Sequence, residues 1–167
     1  MASTYTLISS QVLGSTAASV TFSSIPQTYK DLVVRFSART DQATTASNTA
    51  ITTNVGGAVY SLTRLRGTGS AAQSTRSSGQ SVWDYDVVDA ATSAANTFSS
   101  NEMYIPNYTA ATYKPISYFA VQEDNATGAS IICLAQLLSS STAISSITIA
   151  TSSGNFISGS SFYLYGI

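Results

Sequence analysis

The sequence has no histidine. That removes the side chain that most often moves protons near neutral pH, the usual base of a serine triad, and the commonest transition-metal ligand. Its single thiol, Cys133, sits in the apolar run Ile131-Ile132-Cys133-Leu134. A thiolate is disfavoured there, and the residue reads as a small core hydrophobe. One cysteine makes no internal disulfide, and without histidine there is no ligand set for structural zinc. Carboxylates remain. Asp84 and Asp86 stand two apart in Val82-Trp83-Asp84-Tyr85-Asp86-Val87, which on a strand aims both to one side; Asp89 follows, and Glu123-Asp124 lies elsewhere. Two acids can serve a glycosidase or contribute to a calcium site. No glycine-containing calcium loop follows them, however, and Asp-x-Asp arises readily by chance. A solvent-facing strip of a strand accounts for the pair, so the chain reads as a non-enzyme with no catalytic residue, cofactor or metal.

Two further motifs fail on spacing or context. Arg64-Leu65-Arg66-Gly67-Thr68-Gly69-Ser70 is glycine-bearing like a phosphate loop, but the spacing differs and no lysine follows. Asn107-Tyr108-Thr109 and Asn125-Ala126-Thr127 fit the glycosylation acceptor pattern. The start of the chain lacks the basic and apolar regions of a signal peptide, so they carry little weight.

Charged residues make up 9% of the chain, against about 25% in ordinary soluble proteins. Neutral polar residues replace them, and the net charge is −1. Such a surface repels its neighbours weakly, which suits a protein packed against other protein. Disorder does not explain the composition, because disordered chains lack aromatic and β-branched residues and this one has ten Tyr and six Phe. The charge balance gives no footprint for nucleic acid. No run approaches the length of a membrane-spanning helix.

The elements that must position any site are short runs of β-branched and aromatic residues divided by Gly, Ser, Asn and Pro, the pattern of sandwiches and barrels. Strands are expected over 5–9, 19–25, 31–39, 51–55, 58–65, 81–88, 97–105, 115–123, 129–138, 144–150 and 161–167. Gly56-Gly57 between two extended runs predicts a hairpin. Residues 41–48 read as a loop, 67–80 as a long mobile loop, and 89–96 as a loop or single helical turn. The run 129–138, apolar but for Ser130 and Gln136, reads as a strand buried on both faces. The closing 161–167 reads as tied into a sheet. The expectation is one all-β domain over 1–167, an antiparallel, jelly-roll-like sandwich of about ten strands.

Aromatic residues are the remaining candidates for function. Tyr and Trp pair an apolar body with a polar tip, which suits cores, protein interfaces and sugar platforms alike. Most are expected in the core.

Several stretches together resemble a known family. They are Tyr5-Thr6-Leu7-Ile8-Ser9-Ser10-Gln11, then Ser19 to Pro26 with Tyr29 and Asp31-Leu32, Tyr60 to Gly67, Tyr104-Ile105-Pro106-Asn107-Tyr108, and Gly159 to Ile167. This set resembles small virion structural proteins of tailed bacteriophages, frequent in marine and cyanobacterial phages. The resemblance implies an accessory virion protein made in the host cytoplasm, typically a jelly-roll-like cement protein. It would bind the major capsid protein as a homo-oligomer, a trimer above all, and stabilise the head. The absence of coiled-coil or fibrous repeats favours head over tail. The candidate contact elements are residues 2–11 and 67–80, and the candidate contact residues are Tyr5, Leu7, Arg64, Arg66, Arg76, Trp83 and Tyr108. The alternative is a tail- or fibre-borne glycan-binding module stacking sugars on Trp83, Tyr85 and the region 104–113.

Overall fold

A computed structural model of the chain describes residues 5–126 and 128–167, with the side chains of Tyr85 and Asp86 excepted. Outside the described residues therefore lie 2–4 of the N-terminal contact element, Tyr85 and Asp86 as side-chain candidates, and Thr127 of one glycosylation pattern. Among the described residues every regular element is a strand. They are β1 (Thr6–Val12), β2 (Ser19–Phe22), β3 (Leu32–Ser37), β4 (Ala46–Thr53), β5 (Tyr60–Gly67), β6 (Ala72–Gln80), β7 (Trp83–Asp89), β8 (Ser100–Ile105), β9 (Lys114–Glu123), β10 (Ala129–Leu138), β11 (Ile147–Thr151) and β12 (Ser161–Gly166).

They form two antiparallel sheets. The large one has eight strands in the order β1-β12-β3-β8-β9-β10-β5-β6, and the small one has four, β2-β11-β4-β7. The fold is thus the all-β sandwich that composition predicts. The small sheet covers one face of the large sheet. Alternation along the strands sets which side chains lie between them. On β9, Ile116, Tyr118, Ala120 and Gln122 point inward and are buried, while Pro115, Ser117, Phe119 and Glu123 point outward. The buried apolar side chains of both sheets make one continuous cluster. At its centre Phe36 stacks on Phe162 (5.6 Å between ring centroids) and Phe156 meets Phe162 edge-on at 5.0 Å. The C-terminal strand β12 is fixed between β1 and β3, as expected.

Three expectations about elements are corrected. The stretch 67–80 is not a mobile loop: after the turn at Gly69, β6 pairs with β5 along its length. Its side chains are polar because an edge strand is specified by its ladder and needs no apolar face of its own. The Gly56-Gly57 hairpin does not form either. β4 pairs with β11 and β7 in the small sheet and β5 with β10 and β6 in the large one, so residues 54–59 cross between layers. Residues 46–48, read as loop, open β4.

Between β7 and β8 the backbone turns through Ala90 to Ser99, held by the buried Arg39. Arg39 Nη1 donates to the carbonyls of Ala94 (2.7 Å) and Thr97 (3.1 Å), and Nη2 to those of Ser93 (2.9 Å) and Ala91 (3.3 Å). Asp124, at the β9–β10 turn, accepts from the backbone of Gly128, Ala126 and Ala94. These bonds, led by that of Gly128, hold its carboxyl below the ordinary carboxylate value.

Asp89 is fully buried beside this knot, with neither carboxylate oxygen in a well-formed hydrogen bond. Burial pushes its carboxyl above the ordinary value, outweighing the pull of Gln122, Ser93 and Arg39. The folded protein therefore keeps this proton at pH values where the unfolded chain has lost it. Stability falls as pH rises from the ordinary carboxylate range through the raised folded value. Asp89→Asn removes the charge and keeps the shape. It is expected to raise the unfolding midpoint at pH 7 by about 2–4 °C, equivalent to about 1 kcal/mol at this chain length, with a smaller gain in mild acid. Thermal melts at both pH values check this. A variant less stable than wild type at pH 7 would mean that Arg39 holds the ionised form.

Candidate functional site

The face of the large sheet turned away from the small one is where the described surface departs from the ordinary. Directly opposed residues of antiparallel strands share a face, with Cβ atoms about 4.5–5.5 Å apart. The register places Leu65 of β5 opposite Cys133 of β10, and Cys133 opposite Phe119 of β9, in one outward row. In the next row Ile131 stands opposite Val121. Leu65 is 61% exposed, Ile131 51% and Phe119 44%. Cys133 is exposed among them.

The same row continues across the sheet as Phe119, Glu102, Arg35 and Tyr163. Arg35 Nε donates to Glu102 Oε2 at 2.6 Å, an ion pair half-exposed on both sides. This hydrogen bond is the main reason the guanidinium pKa is raised. The guanidinium carbon lies 5.1 Å from the Tyr5 ring centroid and 6.0 Å from that of Tyr165. Tyr5 meets Tyr165 at 90° and 6.0 Å; Tyr163 and Tyr165 lie 6.4 Å apart with rings 21° from parallel. Between these side chains runs a shallow groove of about 480 Å³, with Ser100 and Ser161 at its sides and Phe36 and Asn101 at its floor.

The expected contact residues scatter. Tyr5 and Leu7 are exposed on β1 and its approach, Leu7 opposite Tyr165. Arg76 is exposed on β6, opposite Thr63. Arg64 and Arg66 turn to the other face. There Arg66 Nε donates to Ser130 Oγ at 2.6 Å, and burial, then Arg64, lowers the Arg66 pKa. Trp83 and Tyr108 are fully buried inside the sandwich. Trp83 packs edge-on against Tyr60, and the Tyr108 hydroxyl donates to the carbonyl of Pro26. The structure therefore removes these two from the candidate contacts.

Cys133 is also corrected, from core to surface, and with it the reading of β10 as buried on both faces. The tyrosines follow suit: Tyr60, Tyr108 and Tyr118 are buried, while Tyr5, Tyr29, Tyr104, Tyr113, Tyr163 and Tyr165 reach the surface. The strip reading of Asp84 and Asp86 changes too. A register shift pairs Thr49 with Asp86 and Ala50 with Asp84, interrupting the strict alternation. Asp84 is half-buried, which raises its carboxyl pKa. Among the described residues no three His, Cys, Asp or Glu side chains gather as metal ligands.

The outward row was missed, although β10 carried its signal. A largely apolar run without regular polar alternation has two apolar faces, and the described residues cover only one of them.

Fold and surface together define an all-β sandwich with an uncovered, partly apolar sheet face. Comparison with known families finds no matching family model, and no curated protein shows significant similarity.

Proposed function

We propose that the protein is an accessory structural component of a tailed-bacteriophage virion, a capsid decoration protein. It seats the outward face of β9, β10 and β5 on the major capsid protein lattice and works as a homo-oligomer, a trimer being the expected state. The observation that carries the reading is this apolar face in the middle of the large sheet. A central strand with both faces apolar is the pattern of a sheet covered on both sides, and in this reading the capsid protein supplies the second cover. Low surface charge supports it. Of seven basic and eight acidic residues, Asp31, Arg39, Asp89, Lys114 and Asp124 are buried, so an already charge-poor chain exposes even less charge. The resemblance to small phage virion proteins supplies the particle.

Cys133 makes the test direct, as it is the only thiol and lies within the row. A maleimide reagent is expected to label it readily in the free protein and at least about tenfold more slowly in purified particles, as tight burial excludes reagent. Leu65→Asp combined with Ile131→Asp places two charges in the contact. It is expected to cut particle occupancy at least tenfold, about 1.4 kcal/mol or more, while the free protein still folds. Equal labelling in both states, or localisation of the protein to tails alone, would overturn the assignment.

A further inference from the structure

We infer that the groove over β12, β3 and β8 is a binding site for a neutral saccharide. A sugar ring offers two kinds of surface at once: a flat C–H face, and a rim of hydroxyls that each donate and accept. The groove offers the complement of both. Tyr163 and Tyr165 supply partly buried, nearly parallel rings on the outward face, and the Phe162 and Leu164 side chains before and between them fill the core on the opposite face. The two tyrosines are thus not needed for packing within the sandwich.

The ion pair is only half used. Glu102 Oε2 takes the Nε proton of Arg35, while the two terminal amino groups of Arg35 and Oε1 of Glu102 have no hydrogen-bond partner among the described residues. Donors and an acceptor therefore stand side by side, the arrangement that adjacent hydroxyls can bridge. Ser100 and Ser161 add hydroxyls on either side.

Charge selects against other ligands. Arg35 and Glu102 cancel, so an anion meets the carboxylate and a cation meets the guanidinium. A nucleic-acid strand would find one cation, already paired, where backbone binding needs several. The site is also built before a ligand arrives. Behind the groove, on the inward face of the sheet, buried Asn101 donates to the Phe36 carbonyl (3.3 Å) and Ser99 Oγ (2.7 Å) and accepts from the Tyr118 hydroxyl (2.7 Å), which fixes β8 beside β3. Arg35 is braced by Glu102 and the Tyr5 ring. Preorganisation of this kind spares a ligand the cost of ordering its site. The volume, about 480 Å³, falls within the range of small-ligand sites, about 300–1,000 Å³.

The groove and the apolar patch can serve at once. Three strand steps separate β3 from β10. At about 20–25° of twist per step the middles of the two regions face directions about 60–75° apart, and they meet at their edges, where Phe119 opposes Glu102.

The test is saturation-transfer NMR on the whole chain with neutral tri- and tetrasaccharides built from glucose, galactose, mannose and N-acetylglucosamine, and sialyllactose as a charged comparator. At least one neutral saccharide is expected to bind with a Kd of about 1 mM or tighter, equally at low and high salt. Tyr163→Ala and, separately, Glu102→Gln are expected to weaken it at least about tenfold, as loss of a buried partner does. Both sites lie at the surface, and circular dichroism confirms the fold of each variant. Silence from every neutral saccharide, binding of sialyllactose alone, or binding unchanged in both variants would overturn the proposal. So would silence combined with loss of particle binding in Tyr163→Ala, which would give the groove to the capsid contact. Cys133 labelling is read independently, so the two proposals fail separately.

Discussion

Trp83→Ala lowers folding stability by about 3–5 kcal/mol, the cost of truncating a large aromatic in a packed core. Trp83 is fully buried where β7 of the small sheet faces β5 of the large one. It meets the Tyr60 ring at 4.7 Å and 81°. Tyr60 in turn ties the layers together: its hydroxyl accepts from the backbone N–H of Thr53 (3.0 Å) and donates to the carbonyl of Val55 (2.7 Å). Removing the indole opens a cavity beside this joint and unseats the tyrosine that closes the crossing from β4 to β5. Domains of this size are stable by about 5–15 kcal/mol in total, so the variant approaches its unfolding threshold at physiological temperature. Trp83→Phe is the informative companion. It keeps most of the packing and deletes an indole N–H that is buried with no hydrogen-bond partner among the described residues, so its cost falls well below that of alanine. Denaturant titration followed by circular dichroism measures both. A stable Trp83→Ala protein that had lost particle or saccharide binding would show instead that the residue is a contact.

The misplacement of Trp83 shows how far the sequence could be read. Strands whose faces differ in polarity were legible: Val20 with Phe22, or Ile147 with Ile149, marked the inward faces of β2 and β11. A period of two says which residues share a face, but not whether that face is covered. Strict alternation would put Trp83 and Val87 on one face, a pattern that fits an exposed platform or a core; the register shift in β7 breaks it, setting Trp83 opposite Ile51 and Val87 opposite Asn48. Only the small sheet, assembled from four distant segments, decides. The converse error befell β10, whose outward residues Ile131 and Cys133 are as apolar as its inward ones, so composition assigned a cover that the chain does not supply. β6 was invisible for a third reason. Its identity lies in backbone hydrogen bonds to β5, and Ala, Ser, Thr, Gln and Gly do not announce such a ladder. The groove was harder still, since its residues come from β3, β8 and β12, and only antiparallel register brings Arg35 to both Glu102 and Tyr163.

Arg39 is the residue whose type promised least and whose loss should cost most after Trp83. In sequence it is a cation at the end of a strand, ordinarily a solvated position. In the fold it is 7% exposed, and its guanidinium donates to four backbone carbonyls between Ala91 and Thr97 and to the Thr97 hydroxyl. That segment has no ladder of its own, so the side chain replaces one. Arg39→Ala leaves the buried Ser93 carbonyl without this donor and takes one bond each from the partly covered Ala94 and Thr97 carbonyls, a lost partner for a buried group costing about 1–3 kcal/mol before relaxation. The expected total is about 3–5 kcal/mol, as for other broken buried charge networks. Arg39→Lys retains the charge but not the planar fork that reaches four carbonyls from two nitrogens. It is expected to fold with the 91–99 connection loosened. Because that connection leads directly into Ser100 at the side of the groove, its effect reaches function. Amide hydrogen exchange over 91–100 is expected to rise at least about tenfold in Arg39→Lys, the signature of local opening, while β9 and β10 stay protected. Saccharide affinity should fall with it, and Cys133 reactivity in particles should not change. Unaltered exchange over 91–100 would show that the segment is held by its own turns, and the role given to Arg39 would be wrong.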